Sequence, residues 1–595
     1  METRYPLRVP APTRSVRRRR RAQDPLRVVF AASECLPFVK TGGLADVTAS
    51  LPKALAALGH EVDIVLPLYL KALLYPIDAG VPIRANHALS DVCVRLDDAE
   101  HRARVYSTEM PDAPVRVHLV DSDSYAHFTA RAAHASPYAG GDNFGRFAFF
   151  SRVVARVAAN MQPRPDVIHA HDWPTGLVPT FVSTEHAASG IATVFTIHNV
   201  GHTHAVAPDE FWRATRLTDA DHPGLYDWKN AGILHADRVD LLKAGIVRAD
   251  MVSTVSPTYA AEIQQPERGG SYAPTLRWLA TQGRLRGILN GIDPMWSPTL
   301  PIDAFLEHKR AQKQQLQAAF GLPSAPEAFV CVLTSRLAHQ KGYQLLPEAL
   351  ALLRRGRARV QLVAAVDGDP GLRELFASLD HPDLPVRHRP YHEALTRDVI
   401  YPGADALLMP SVYEPCGLSQ MIAQKNGAPP IVHATGGLRD TVVEGETGFV
   451  FERFGPDELA RAIGRALHTF TREPARWAQL QRRMMDLDYG WARSADAYVE
   501  LYREAIARAA ARGAATTSAP APSPPPARTP SRAPNRAPRA ALPLMSPPEG
   551  AGGPAHAEDG AGSPPESRAR RAATGGLSPT HPRRARARWV TGDLA

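Results

Sequence analysis

Cysteine is scarce in this sequence, with four residues in a chain of 595. No two of them form a CxxC pair, so no disulfide framework is predicted and a reducing, cytoplasmic location is expected. The sequence also lacks any run of about 18 apolar residues, which argues against a transmembrane helix and a membrane partner. The Arg-rich N-terminus has no apolar segment of the kind that a secretory signal needs.

Acidic residues are few at both ends of the chain, where arginine accumulates instead. Residues 1–25 contain eight Arg against Glu2 and Asp24, a net charge of +6, and residues 511–595 contain twelve Arg against five acidic residues, a net charge of +7. Because the whole chain carries +9, the body between the ends is acidic, at about −4, and no nucleic-acid partner is predicted. Both ends are predicted to be disordered extensions, because neither can bury enough apolar surface to fold.

Short apolar segments alternate with segments of helical periodicity through the body. The first strands are predicted at 26–32 and 61–67, and the pattern restarts with a strand at 329–335. Alternation of this kind favours parallel sheets that are covered by helices on both faces. We therefore predict an α/β fold with two doubly wound, Rossmann-like domains, residues 26–289 and 290–487, facing a central cleft, and a final helix within 488–510.

The loop after the first strand carries Lys40-Thr41-Gly42-Gly43 and opens the first predicted helix. A helix N-terminus attracts anions, the two glycines let a phosphate approach the backbone, and Lys40 adds a positive charge. The pattern is neither a P-loop nor GxGxxG, so nucleoside triphosphate and dinucleotide binding are disfavoured. Taken alone, the loop is equally compatible with an ordinary tight turn.

A matching segment, Thr435-Gly436-Gly437, follows a strand of the second domain and also opens a helix. Two such helix starts could face each other across the cleft and hold a diphosphate from both sides. Arg336 and Lys341 follow the strand at 329–335, at the edge where open α/β sheets bind ligands. Two cations there suit a leaving diphosphate, whose negative charge grows as a glycosidic bond breaks.

Other side chains have both a structural and a chemical interpretation. Glu414 lies in a loop where a carboxylate could accept hydrogen bonds from sugar hydroxyls or cap the next helix. His169 and His171 share one face of a strand beside Asp172, but no third ligand stands at metal spacing, so no metal is expected. Cys416 could be a nucleophile, although a small residue packed beside a sugar is the favoured interpretation.

Nine motifs together resemble those of the bacterial glycogen synthase and plant starch synthase family, the ADP-glucose-dependent glycosyltransferase family 5. They occur in family order between about Leu26 and Arg508: KTGGLADV at 40–47, HAHDW at 169–173, FTIHN at 195–199, STVSPTYA at 253–260, LNGID at 289–293, SRLAHQKG at 335–342, YHE at 391–393, YEPCGLSQ at 413–420 and TGGLRDTV at 435–442. The order is far more specific than any single motif.

The resemblance implies the GT-B fold, with the last helix crossing back to the first domain. It implies transfer of glucose from ADP-glucose to the non-reducing end of an α-1,4-glucan such as glycogen, with retention of configuration and without a metal or other cofactor. After Asn199 the sequence departs from the family, with Val200–His204 where an aromatic residue and a glutamine are usual.

The resemblance also assigns roles to individual residues. Lys40, Gly42 and Gly43 would contact the donor phosphates, and Arg336 and Lys341 would neutralise the departing diphosphate. Tyr391 would pack on the adenine. The residues implied for the glucose site, the acceptor side and further sugar contacts are Glu414, Cys416, Gly417, Asp172, His198, Asn199, Asn290, Tyr138 and Asn143. The catalytic candidates among all of these are Glu414, Arg336, Lys341, Asp172 and His198.

Two alternatives stay open at this stage. One is another GT-B enzyme, either a sugar-nucleotide epimerase or a transferase to a small acceptor, although Ile422 stands where many GT-B transferases place a second Glu. The other is a non-catalytic glucan-binding relative, which the complete set of cations disfavours. A carboxylate pair at glycosidase spacing is not evident, so glucan hydrolysis is not expected. The sequence does not predict the oligomeric state.

Overall fold

The computed structural model describes residues 24–69, 82–89, 92–122, 137–138, 142–227 and 232–518. The predicted disordered segments therefore lie outside the described residues, apart from 24–25 and 511–518. The first half of the described chain contains thirteen strands, β1 to β13 in order: Arg27–Ala31, Glu61–Pro67, Arg84–Ala85, Val92–Leu96, Ala99–Glu109, Val115–Ser122, Val167–His171, Ala192–Ile197, Ala205–Val206, Leu234–His235, Arg238–Asp240, Met251–Thr254 and Leu285–Gly287.

Ten of these strands form one sheet in the order β13-β12-β8-β7-β1-β2-β6-β5-β3, with β4 paired to β5. The strands from β13 to β6 are parallel, and β1 is buried between β2 and β7. Sequence order reverses across β1 and β7, so loops that follow these two strands open on the same side at a topological switch point. The KTGG loop follows β1, and Asp172 follows β7.

An antiparallel edge extends this sheet beyond the parallel strands that the sequence predicts. Strands β3 and β4 pair antiparallel with β5, which in turn pairs antiparallel with β6. Asp97 and Asp98 connect β4 to β5 with φ values of 52° and 62°. Two adjacent left-handed residues are typical of the tight hairpin turns that match strand twist, and aspartate tolerates this conformation. Strands β9, β10 and β11 form a separate small sheet.

The second half contains six parallel strands, β14 to β19: Phe329–Leu337, Val360–Gly368, Val386–Arg389, Ala406–Met409, Pro430–His433 and Phe449–Phe451. Their order is β16-β15-β14-β17-β18-β19, so sequence order again reverses at the first strand of the domain. Arg336 ends β14, and the loop that carries Glu414 follows β17, which places both at the second switch point. The α/β, GT-B fold predicted from the sequence is confirmed.

Helices cover both sheets, as doubly wound domains require. Their bounds are Gly43–Ala57, Asn143–Asn160, Val178–Glu185, Pro208–Thr215, Leu241–Arg248, Pro257–Glu262, Pro266–Gly269, Ala273–Thr281, Ile302–Ala319, Leu346–Arg355, Pro370–Ser378, Glu393–Leu395, Tyr401–Gly403, Ser419–Lys425, Gly436–Thr441, Pro456–Arg472, Pro474–Met485 and Ala492–Ser518. None of these helices is both long and apolar enough to cross a bilayer.

The last helix packs against the first domain, as the family resemblance implied. Tyr498 and Tyr502 on this helix are fully buried, and both contact His169 of β7. The helix continues to Ser518, which corrects the prediction that residues from 511 onward are disordered. Alanine supplies five of the residues from 509 to 515, and its high helix propensity favours the extra turns without any packing.

Candidate active site

A single cavity of about 750 Å³ collects residues from the loops at both switch points. Such a volume is in the range of small-molecule sites, which are usually lined by a few convergent polar groups. Fourteen of the predicted site residues line it: Lys40, Gly42, Gly43, Tyr138, Asp172, His198, Asn199, Asn290, Arg336, Lys341, Tyr391, Glu414, Cys416 and Gly417. Four predicted residues, Asn143, Thr435, Gly436 and Gly437, do not.

The glycine loop after β1 is held by a carboxylate that sequence reasoning missed. Glu34 accepts hydrogen bonds from the backbone N–H of Thr41 and of Gly42, the latter at 3.2 Å, and from the Thr41 hydroxyl at 2.6 Å. Glu34 also lines the cavity and accepts from the Tyr138 hydroxyl. Its position three residues after the end of β1, at a switch point, was the available sequence signal.

Packing within the protein does not require glycine at positions 42 and 43. A Cβ atom on Gly42 would meet nothing within 4 Å, and one on Gly43 would reach only Leu418 at 4.0 Å. Both glycines line the cavity. The missing side chains therefore keep cavity space open beside a helix N-terminus, which is where an anion binds best.

The three predicted cations differ in how they are engaged. Lys40 Nζ lies 2.8 Å from Asp46 and 3.7 Å from Glu393 of the second domain, so it bridges the two halves of the cavity wall. Lys341 Nζ lies 2.6 Å from Glu414 Oε2. Arg336 is exposed and forms no ion pair within the described part of the chain. It is the cation that needs no exchange of partners to meet a ligand.

The Thr435-Gly436-Gly437 segment lies behind the Glu414 loop and does not face the cavity, which corrects the prediction of a second glycine-rich phosphate site. The Gly436 N–H donates to Glu262 of the first domain at 2.9 Å, and the Gly437 N–H donates to the Glu414 carbonyl at 3.1 Å. A Cβ on Gly436 would lie 1.9 Å from that carbonyl oxygen. These glycines are needed so that the helix can pack on the loop that carries Glu414.

Asn143 also serves the structure and not the cavity, which corrects its assignment as a sugar contact. Its Nδ2 donates to the Tyr138 carbonyl at 3.0 Å, and its Oδ1 accepts from the buried Arg146. Arg146 donates in turn to the Pro137 carbonyl at 3.3 Å. Asn143 thus orders the turn that presents Tyr138, whose ring does line the cavity.

Asp172 has an unusual backbone conformation for a residue with a side chain. Its φ of 55° and ψ of 178° fall in a region that is essentially confined to glycine, and such strain clusters at functional sites. The carboxylate accepts a hydrogen bond from the His198 N–H at 2.8 Å. Burial nevertheless raises the pKa of Asp172 to about 7, because desolvation outweighs the hydrogen bonds from the backbone of His198 and Asn199.

The remaining predicted residues line the cavity with different chemistry. Asn290 is buried, and its Oδ1 accepts no hydrogen bond from any residue in the described ranges, so it can accept one from a bound hydroxyl. Burial raises the pKa of the Cys416 thiol to about 12, which removes the thiolate that a nucleophilic role would need. Tyr391 is 38% exposed and can offer a ring face to a planar ligand.

His169 and His171 are used inside the first domain. His169 forms hydrogen bonds with the Tyr502 hydroxyl at 2.9 Å and with Thr196 Oγ1 at 2.6 Å. Among the residues that the structure describes, no group of three or more His, Cys, Asp or Glu could hold a metal ion. The loop that departs from the family contributes Gly201, His202 and Thr203 to the cavity wall.

Comparison with known proteins agrees with this geometry. Residues 27–278 match the family described as starch synthase catalytic domain, and residues 314–484 match the family described as glycosyl transferases group 1. Glycogen synthase of Syntrophotalea carbinolica is 39% identical over 502 residues, covering 81% of this chain and 99% of the relative. Glycogen synthase of Anaeromyxobacter dehalogenans is 38% identical over 499 residues, covering 80% and 99%.

A solved structure is similar along the same part of the chain. The catalytic domain of starch synthase IV from Arabidopsis thaliana, bound to ADP and acarbose, matches with a TM-score of 0.70 and 29% identity. The match covers 81% of this chain and 100% of that domain. With two matching families in the expected order and relatives above 30% identity over nearly their whole length, the chain belongs to the glycogen and starch synthase family of glycosyltransferases.

Proposed function

We propose that this glycosyltransferase transfers glucose from ADP-glucose to the non-reducing end of an α-1,4-glucan such as glycogen, with retention of the anomeric configuration. The observation that carries the proposal is the shared cavity, in which the KTGG loop of one domain faces Arg336, Lys341 and Glu414 of the other. The starch synthase structure that this chain resembles was solved with ADP and acarbose, which supports a nucleotide and a glucan as ligands.

The barrier in such a transfer is the separation of charge between an oxocarbenium-like sugar and the departing diphosphate. Fixed cations lower that barrier directly, and one lost electrostatic contact of this kind typically costs about 3 kcal/mol. A diphosphate is already a good leaving group, so the proposal assigns the charge stabilisation to Arg336, Lys341 and Lys40 and gives no role to a metal or another cofactor.

Donor binding would have to exchange two existing ion pairs. Lys341 is paired with Glu414, and Lys40 with Asp46 and Glu393. A diphosphate that takes over Lys341 leaves the Glu414 carboxylate able to accept from sugar hydroxyls, and Asn290 Oδ1 offers a further acceptor. In this proposal phosphate capture and sugar orientation are coupled through a single salt bridge of 2.6 Å.

Transfer of labelled glucose to glycogen, with ADP-glucose and UDP-glucose in competition, tests the proposal. We expect incorporation from ADP-glucose and strongly reduced turnover in Lys341→Ala. An exposed lysine on the first helix, Lys53, provides a matched control through Lys53→Ala. If the folded wild type incorporates no label, the proposal is wrong, and products formed without glucan would indicate an epimerase or a small-acceptor transferase. Undiminished turnover of Lys341→Ala would contradict the role of that lysine.

A further inference from the structure

Two histidines stand one behind the other at the wall of the cavity. His198 lines the cavity, whereas His171 is fully buried behind it. Nδ1 of His171 lies 3.0 Å from Nε2 of His198, which is hydrogen-bond distance. No role for His171 follows from the proposed chemistry, because the ring does not reach the cavity.

Packing on both faces fixes the ring of His171. The Phe30 ring is stacked on it with centroids 5.4 Å apart and planes 17° apart, and the His169 ring lies 4.1 Å away on centroids. His169 is itself held by Tyr502 and Thr196. The second ring nitrogen of His171, Nε2, is buried and has no hydrogen-bond partner among the described residues.

These contacts decide which nitrogen carries the shared proton. Burial lowers the pKa of both rings far below the usual value for histidine, to about 3 for His198, so both are neutral at neutral pH. If His198 carried the proton on Nε2, the proton of His171 would sit on its buried Nε2 without an acceptor. If His171 carries it on Nδ1, only an acceptor is left unpaired. Orphaned buried N–H groups are rarer than orphaned acceptors, so the second arrangement is favoured.

We propose that His171 is a positioning residue: its Nδ1–H donates to Nε2 of His198 and so places the single proton of His198 on Nδ1. Nδ1 is then the one ring nitrogen of His198 left for a ligand, and it is a donor. His198 therefore acts on a sugar hydroxyl as a neutral hydrogen-bond donor and not as a general base. The inference rests on the proposed function, since it takes the ligand of this cavity to be a sugar.

Variants of His171 separate positioning from simple packing. The amide of asparagine reaches about as far as Nδ1 of histidine, whereas that of glutamine reaches about as far as Nε2. His171→Asn can still donate to His198, but His171→Gln and His171→Leu cannot. We expect kcat with ADP-glucose at pH 8 to stay within about threefold of wild type for His171→Asn and to fall about tenfold for the other two, the usual effect of losing one neutral hydrogen bond.

The asparagine and glutamine variants are similarly polar, so a general loss of stability should affect both, and their melting temperatures serve as the control. The KM for ADP-glucose should change little in any variant. Equal kcat values for His171→Asn and His171→Gln, whether high or low, would overturn the positioning role.

The proton position can also be read without catalysis. In ¹⁵N-histidine-labelled wild-type protein, assigned with a His198→Asn variant, the chemical shifts of His198 should show a protonated Nδ1 and an unprotonated Nε2. The opposite tautomer would overturn the proposal even if the enzyme is active. If the wild type transfers no glucose but the expected tautomer is seen, the proposed function fails and the positioning role stands.

Discussion

Replacement of Asp172 by asparagine should stabilise the protein at high pH while it lowers activity. The pKa of this carboxyl is about 7 in the fold against an ordinary value of 3.8. At about 1.4 kcal/mol for each pH unit, the ionised carboxylate costs the folded state about 4 kcal/mol above pH 7. Between pH 4 and 7 the folded state keeps a proton that the unfolded chain releases, so stability falls as pH rises. Below pH 4 both states are protonated and the cost vanishes.

Urea unfolding at pH 5 and pH 8 measures this directly. Asparagine is neutral at both values, so the gain in free energy of unfolding for Asp172→Asn should be about 3 kcal/mol larger at pH 8 than at pH 5. Asp383→Asn, at an aspartate whose side chain is 80% exposed, is the matched control and should show no such change. The transfer rate should drop, because function is commonly gained at the expense of stability at such sites. Equal gains at both pH values would refute the reasoning.

Three further substitutions test other parts of the structure. Lys40→Ala should raise the KM for ADP-glucose about tenfold or more at unchanged melting temperature, whereas Lys53→Ala should not; equal KM values would contradict a phosphate contact. Gly342→Ala should destabilise strongly, because φ is 72° and the added Cβ would lie 1.8 Å from the Pro410 carbonyl oxygen, while Gly464→Ala, in open space within a helix, should be neutral or stabilising in the same thermal melts. Lys313→Met should cost about 3–5 kcal/mol in urea unfolding, because it leaves the buried Asp405 carboxylate, 2.6 Å away, without its ion pair, and adding Asp405→Asn should recover much of the loss.

Local chemistry explains why much of the fold could be predicted. Strands such as Glu61–Pro67, Val167–His171 and Pro430–His433 were predicted with the bounds that the structure has, because buried parallel strands are continuous apolar runs. The antiparallel strands Val92–Leu96 and Ala99–Glu109 were not predicted, because their exposed faces carry polar residues and the alternation is weak. The cavity-facing loops could be placed because each follows a strand at a switch point.

The sequence by itself determined the family, the two-domain α/β fold and fourteen of the residues around the cavity, since those depend on motifs that are local in the chain. Tertiary structure alone decided what the glycines do. Gly42 and Gly43 border open cavity, whereas Gly436 and Gly437 support the Glu414 loop, although both pairs open a helix after a strand. It also decided the partners of buried groups, such as Glu34 on the KTGG amides and His171 on His198. Such contacts join residues far apart in the chain, and a local pattern carries no record of them.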